Sequence, residues 1–177
     1  MSDRPEFRPI QAKEIARAFK DEGVEYLFIG KSGAILLGYP GTTQDVDIFP
    51  ARSPENGRRI VTALRKIGFE VAVELERDII QGKDFVQIKI GPFDVDLVFA
   101  PDGIRSFDEA KSRSLSEGIF HVANLRDIIA SKRASGRKKD EVELPLLESF
   151  RIEFERRHAP QLRPAKDVAA RKAHGQK

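Results

Sequence analysis

The run Tyr26–Pro50 constrains this chain more than any other stretch, because it joins a short apolar strand, a glycine turn and two closely spaced carboxylates. Asp45 and Asp47 alternate with Val46 and Ile48. Successive side chains on a strand point to opposite faces, so both carboxylates share one face. Paired carboxylates repel one another unless a cation lies between them, and oxygen ligands suit a hard cation such as Mg²⁺. The pattern predicts a metal site, and the alternative interpretation is a solvated strand face.

The residues before this pair predict a place for phosphate. Gly30 ends the apolar run Tyr26–Ile29, and Ser32 opens a short helical segment directly after it. A strand that turns through glycine into a helix presents free backbone N–H groups to an anion. Phosphate beside a carboxylate pair favours a nucleotide site.

Taken together, these residues resemble the nucleotidyltransferase superfamily that includes DNA polymerase beta. The resemblance rests on Gly30-Lys31-Ser32, on Gly38-Tyr39-Pro40 and on the run Thr43–Phe49, and it extends from Tyr26 to Leu147. It is strongest to minimal nucleotidyltransferases of the abortive-infection and toxin–antitoxin type. It implies an α/β (α+β) nucleotidyltransferase fold, in which a twisted mixed β-sheet is flanked by helices and followed by a C-terminal helical pair.

The resemblance also implies roles for particular residues. Asp45 and Asp47 would be catalytic and would bind Mg²⁺ or Mn²⁺, together with a third carboxylate from the predicted strand Phe93–Phe99. Asp96 fits that third position best, and Asp94, on the same face, is the alternate. The nucleotide-binding residues that the resemblance implies are Gly30, Lys31, Ser32, Thr43 and Lys132.

Lys132 also has a simpler interpretation, in which its stem lies along the core and its charge reaches water. For the strand that carries Asp94 and Asp96, the alternative is an edge protected from aggregation by charge. Glu25 stands where a phosphate-loop motif before Gly30-Lys31-Ser32 would need glycine, so a P-loop ATPase is excluded.

The chain departs from the family pattern at two positions. Lys31 stands where many relatives carry a second glycine, and Gly41 where many carry arginine. These differences bear on activity more than on fold, and they leave two functions open. One is a Mg-dependent enzyme that transfers NMP from an NTP to a hydroxyl acceptor, either RNA/tRNA or protein. The other is a catalytically weak nucleotidyltransferase-like binding module of a toxin–antitoxin pair, with a partner protein from a neighbouring gene.

Composition excludes several other classes. The 177 residues contain no cysteine and three histidines, which leaves no disulfide, no thiolate metal site and no histidine cluster for zinc. No apolar run approaches the ~20 residues that cross a bilayer. The charged N-terminus lacks the apolar region of a signal peptide. We therefore expect a cytoplasmic protein without a membrane partner.

We expect one domain, with a nucleotidyltransferase core at 1–122, C-terminal helices of the same domain at 123–159, and a basic, disordered tail at 160–177. The net charge of +3, concentrated towards the C-terminus, slightly favours RNA or tRNA as acceptor. The basic residues in this last stretch are Arg156, Arg157, Arg163, Lys166, Arg171, Lys172 and Lys177.

Local patterns predict the remaining elements. The predicted helices are Gln11–Asp21, one from Ser53 or Pro54 to Ile67, Phe107–Arg113, Leu125–Ser135 after the N-cap Asn124, and Lys139–Arg157, bent or split at Pro145. The predicted strands are Phe69–Leu75, a hairpin of two strands across Phe85–Phe99, and Gly118–Val122. A polar turn is predicted at Arg77–Lys83.

Overall fold

The computed structural model describes residues 6–162. The strands are β1 (Tyr26–Ile29), β2 (Asp45–Pro50), β3 (Phe85–Ile88), β4 (Asp94–Val98), β5 (Leu115–Glu117) and β6 (Phe120–Val122). The helices are α1 (Pro9–Glu22), α2 (Gly30–Leu36), α3 (Pro54–Lys66), α4 (Val73–Gln81), α5 (Phe107–Arg113), α6 (Leu125–Ser135) and α7 (Lys138–Leu162). The strands form one mixed sheet in the order β3-β4-β2-β1-β6-β5.

The two central strands carry the acidic residues. β2 and β4 are parallel, and their register sets Asp45 opposite Asp94 and Asp47 opposite Asp96. Residues directly opposite one another point to the same face, so all four carboxylates lie on one side of the sheet. The aliphatic residues that alternate with them are fully buried, and these are Val46, Ile48, Val95 and Leu97.

The turn from β1 into α2 is hydrogen-bonded to β2, the strand that carries Asp45 and Asp47. Gly30 makes the turn in the left-handed conformation, with φ of +64°. A Cβ added there would lie 2.5 Å from Oδ2 of Asp47, so backbone and space both require glycine. The hydroxyl of the buried Ser32 donates to the Ile29 carbonyl at 3.1 Å and accepts from the Asp47 N–H at 2.9 Å.

The helices pack in two groups. In one group α3 packs against α1 and α4, and in the other α6 packs against α2 and α7. Residues of α6 and α7 line a cleft together with the carboxylates, so the second group covers the acidic face. The side chain of Asn124 accepts from the N–H of Arg126 at the start of α6, and left-handed Gly136 ends this helix, as the sequence predicts.

Two predictions around α4 are wrong. The predicted strand Phe69–Leu75 is a loop that leads into the first turn of a helix, Val73–Gln81, and the predicted turn Arg77–Lys83 lies mostly in the same helix. The apolar residues alternate over too short a window to separate a strand period from a helix period. Burial distinguishes the helix from the strand. In a strand Val73 would share the buried face of Phe69 and Val71, but it is 66% exposed, whereas Ile79 in the helix is fully buried.

The remaining differences concern the C-terminal half. Strand β5, antiparallel to β6, is not predicted from the sequence. The helix predicted to be bent or split at Pro145 is not split, because α7 continues through Pro145 as one element, and it reaches Leu162. The rest of the predicted basic tail, 163–177, lies outside the described residues. None of the helices in residues 6–162 combines the length and the apolar character that a membrane crossing requires.

Candidate active site

A cleft of about 960 Å³ lies over the acidic face of β2 and β4. This volume falls within the range of pockets that take small organic ligands. Its walls come from the turn after β1, from β3 at the edge of the sheet, and from α6 and α7. The residues predicted from the sequence that line it are Gly30, Lys31, Thr43, Asp45, Asp47, Asp96 and Lys132.

Two predicted residues lie outside the walls of this cleft. Ser32 is fully buried, and its hydroxyl is engaged by Ile29 and Asp47. Asp94 shares the acidic face, but the cleft is bordered by Asp96 instead. Of the two residues considered for the third carboxylate, Asp96 is the one that lines the cleft.

The carboxylates destabilise one another's charged forms. Burial, followed by the charges of Asp96 and Asp45, raises the pKa of Asp47 to about 8. Burial, followed by the charge of Asp45, raises the pKa of Asp96 to about 6, although a hydrogen bond from Gln87 opposes the rise. A cation bound beside this row of carboxylates, Asp45, Asp47 and Asp96, would therefore be held strongly, because it would offset their mutual repulsion.

The donor set fits Mg²⁺ or Mn²⁺. Within residues 6–162 no three His, Cys, Asp or Glu side chains are arranged to hold a metal ion by themselves. Mg²⁺ does not require such a cage, because it binds through one or two carboxylates and keeps waters or substrate phosphates as its other ligands. Only oxygen donors are present, and glycine at position 30 leaves Asp47 uncovered. The resemblance implies Asp45, Asp47 and Asp96 as ligands, and one or two of these carboxylates would be enough to hold the ion.

On the β1 side of the carboxylates, two lysine side chains form ion pairs with the same glutamate of α7. Lys31 Nζ lies 2.5 Å from Oε1 of Glu143, and Lys132 Nζ lies 3.3 Å from Oε2 of the same residue. Lys132 also lies 3.2 Å from Oδ1 of Asp140. Burial would raise the pKa of Glu143, but the hydrogen bonds and charges of Lys31 and Lys132 outweigh it and lower this pKa.

Sequence reasoning did not identify several residues of the cleft, among them Gln87, Phe85 and Glu143. Gln87 lies opposite Asp96 on β3 and hydrogen-bonds its carboxyl, and Phe85 lines the cleft two residues earlier on the same strand. The period of two in the predicted hairpin was a signal that could have placed both on the acidic face. Glu143 had no such signal, because its contacts depend on how α7 packs against α6 and α2.

Lys31 and Gly41, the two positions that differ from the pattern of the resembled family, lie next to each other. A Cβ added at Gly41 would lie 3.2 Å from Cε of Lys31 and 2.8 Å from a ring carbon of Tyr39. A larger residue at position 41 would have to displace Tyr39, which is buried. Lys31 therefore lies beside the space that a side chain at position 41 would enter.

Comparison with known proteins bears on the fold. No protein-family model and no curated protein sequence matches the chain. A solved structure from Thermotoga maritima, described as that of a proposed nucleotidyltransferase, superposes with a TM-score of 0.51 at 16% identity. The match covers 78% of this chain and 92% of that one. The chain has a nucleotidyltransferase fold.

The fold class predicted from the sequence is thereby confirmed. In this nucleotidyltransferase fold the acidic row lies at the centre of the sheet, where β2 and β4 pair. The likeness to the Thermotoga maritima protein, at 16% identity, concerns the fold alone. Activity and substrates have to be argued from the cleft itself.

Proposed function

We propose that this protein is a nucleotidyltransferase that transfers NMP from an NTP to a hydroxyl acceptor. The observation that carries the proposal is the row of Asp47 and Asp96, held in register on neighbouring parallel strands beside a glycine turn. Lys31 and Lys132 in the same cleft supply positive charge for a polyphosphate. A nucleotidyltransferase fold around this arrangement supports the proposal.

Each group in the cleft has a distinct task in this proposal. Lys31 and Lys132 bind the β- and γ-phosphates and release Glu143 as they do so. The acceptor oxygen forms a bond to the α-phosphorus, the bond from that phosphorus to the bridging oxygen of the β-phosphate breaks, and pyrophosphate leaves with the electron pair. The hydroxyl proton passes to the carboxylate of Asp96 and from there to solvent. When bound, Mg²⁺ would neutralise charge that develops on the transferred and leaving groups.

Lys31 supports an enzyme more than a degenerate relative. Its stem lies against Gly41, so the position that lacks the arginine of many relatives has a cation beside it. The charge needed near the turn is therefore kept, although it comes from another position.

A second candidate function is the nucleotidyltransferase-like binding module of a toxin–antitoxin pair. The observation that favours it is Glu143, which forms ion pairs with both lysines and so competes with phosphate for them. Such a module would bind a partner protein from a neighbouring gene without needing an NTP.

The first experiment incubates the protein with labelled NTPs, Mg²⁺ or Mn²⁺, and total RNA, purified tRNA or cell protein as acceptor. Asp47→Asn and Asp96→Asn should each lower label transfer by about a hundredfold or more, as when one electrostatic partner of a transition state is removed. Asp108→Asn, an exposed carboxylate on α5, is the matched control and should leave the rate unchanged.

An unchanged rate in Asp47→Asn would contradict the proposed site. If the wild-type protein binds no NTP in calorimetry but binds a partner tightly, the second candidate function replaces the first.

A further inference from the structure

Strand β3 extends the acidic row to the edge of the sheet. Gln87 pairs with Asp96 across the β3–β4 ladder, and Asp96 pairs with Asp47 across the β4–β2 ladder. These three side chains therefore form one line across three strands, on one face. Phe85, two residues before Gln87, lies on the same face and lines the same cleft.

The order of strands separates two sides of the cleft. Lys31 follows β1, and Lys132 is on α6, which packs against α2 on that side. β3 lies on the opposite side, beyond β4. If the lysines hold the leaving pyrophosphate, which rests on the proposed function, an in-line attack brings the acceptor hydroxyl from the β3 side. The β3 edge is therefore where an acceptor would lie.

This edge has the side chains that recognise a nucleotide. Phe85 is 45% exposed although it borders a cleft, so its ring is available for stacking. An exposed aromatic ring at the edge of a cleft suits a planar base, and stacking on it is tolerant of sequence.

A second groove continues from the same edge. It has a volume of about 750 Å³, and Gln87 borders both it and the cleft. Arg65, Glu70 and Lys89 line this groove, and Arg65 is paired with Glu76 at 2.8 Å. The charge of Lys89 acts on Asp96, where it opposes the rise in the pKa of that carboxyl. A cation beside Asp96 complements the phosphate that precedes a terminal nucleotide.

We propose that the β3 edge is an acceptor subsite for the 3′ end of a single-stranded RNA. The terminal base stacks on Phe85, its ribose hydroxyl lies beside Asp96, and the preceding phosphate lies beside Lys89. Gln87 positions the Asp96 carboxyl at the junction of the two grooves. The 3′ oxygen forms the bond to the α-phosphorus of the NTP, and pyrophosphate leaves on the lysine side.

The test uses the full chain and a single-stranded oligoribonucleotide labelled with fluorescein at its 5′ end. Phe85→Ala should weaken binding of this probe about tenfold, because one stacked base is lost, whereas Phe85→Trp should bind as tightly as the wild type. Ile119→Ala is the matched control, since Ile119 is 43% exposed in the turn at the opposite edge of the sheet. It should leave probe binding unchanged.

NTP affinity, measured on the same variants, separates this inference from the proposed function. Phe85→Ala should keep the NTP affinity of the wild type while losing probe affinity and label transfer to RNA. Equal probe binding by Phe85→Ala and wild type, or transfer to protein but not to RNA, overturns the acceptor subsite and leaves the proposed function standing. Failure of the wild type to bind any NTP overturns the proposed function, whatever the probe does.

Discussion

The fold places the carboxyl group of Asp47 where its negative charge is unfavourable. The same backbone position that buries Val46 and Ile48 on one face forces a carboxyl group against two others on the opposite face. Because Ser32 holds the Asp47 N–H, this carboxyl cannot move away without breaking the turn. The protein therefore carries an electrostatic cost that a bound cation would remove.

The cost at Asp47 should appear as a pH dependence of stability in the metal-free protein. The pKa of this carboxyl is about 8 in the folded state, against an ordinary value of 3.8, so between these values the folded state binds the proton more tightly than the unfolded state does. The free energy of unfolding then falls as pH rises through this interval. From about pH 5 to about pH 8, we expect wild type to lose ~4 kcal/mol more than Asp47→Asn.

Urea unfolding in the presence of a chelator measures this difference. Asp108→Asn should follow the wild-type pH dependence, because its carboxyl group is exposed. If Asp47→Asn and wild type lose stability in parallel as pH rises, the carboxyl of Asp47 is not held in its protonated form by the fold.

At the level of elements, α7 determines what the lysines of the cleft contact. Glu143 bonds both Lys31 and Lys132, while Asp140 accepts hydrogen bonds from Lys132 and from the hydroxyl of Ser135. Under the proposed function, an incoming polyphosphate would have to compete with the carboxylate of Glu143 for the same two ammonium groups. Asp140 remains to orient Lys132 when Glu143 is displaced.

Glu143→Gln should therefore raise the affinity for an NTP about tenfold, which corresponds to ~1.4 kcal/mol, because the neutral amide competes less well. Glu148→Gln is the matched control, since Glu148 also lies on α7 and bonds two cations, Arg133 and Arg151, away from the cleft. Isothermal titration with a non-hydrolysable NTP analogue measures both. A weaker affinity in Glu143→Gln would mean that Glu143 holds the lysines in place for the nucleotide.

Elements whose patterns are local could be predicted from the sequence. The alternation around Asp45 and Asp47 defines β2 without reference to the rest of the chain, and a capping residue and a glycine bound α6. Helix α4 could not be predicted, because its apolar residues fit two periods equally well over a short window. Glu143, the ion-pair partner of Lys31 and Lys132, could not be predicted either, because nothing in the local sequence distinguishes it from the other acidic residues of α7.

On the scale of the whole molecule, positive charge is distributed unevenly along the chain. Residues 163–177 contain one acidic residue, Asp167, and several basic ones. The basic residues of this segment are Arg163, Lys166, Arg171, Lys172 and Lys177. A segment of this charge adds attraction for RNA that does not depend on the shape of the cleft.

Deleting 163–177 should weaken binding of single-stranded RNA and make it less dependent on salt, because each lost phosphate contact reduces the log–log slope by about 0.7. Fluorescence anisotropy at a series of salt concentrations gives the slope for both proteins. NTP affinity should not change, which serves as the control. An identical slope in the two proteins would exclude contact between this segment and the phosphates.

The residues that line the cleft are spread along most of the described chain, from Ile29 after β1 to Leu146 on α7. On a ribosome, the acidic row cannot form until β4 has emerged beside β2, and its balancing lysine on α6 emerges later still. A polypeptide that ends before α6 would contain the acidic residues but would lack Lys132, which is proposed to bind the polyphosphate. Under the proposed function, interrupted synthesis would thus release fragments that cannot transfer nucleotide, and only a chain translated through α7 would form the complete cleft.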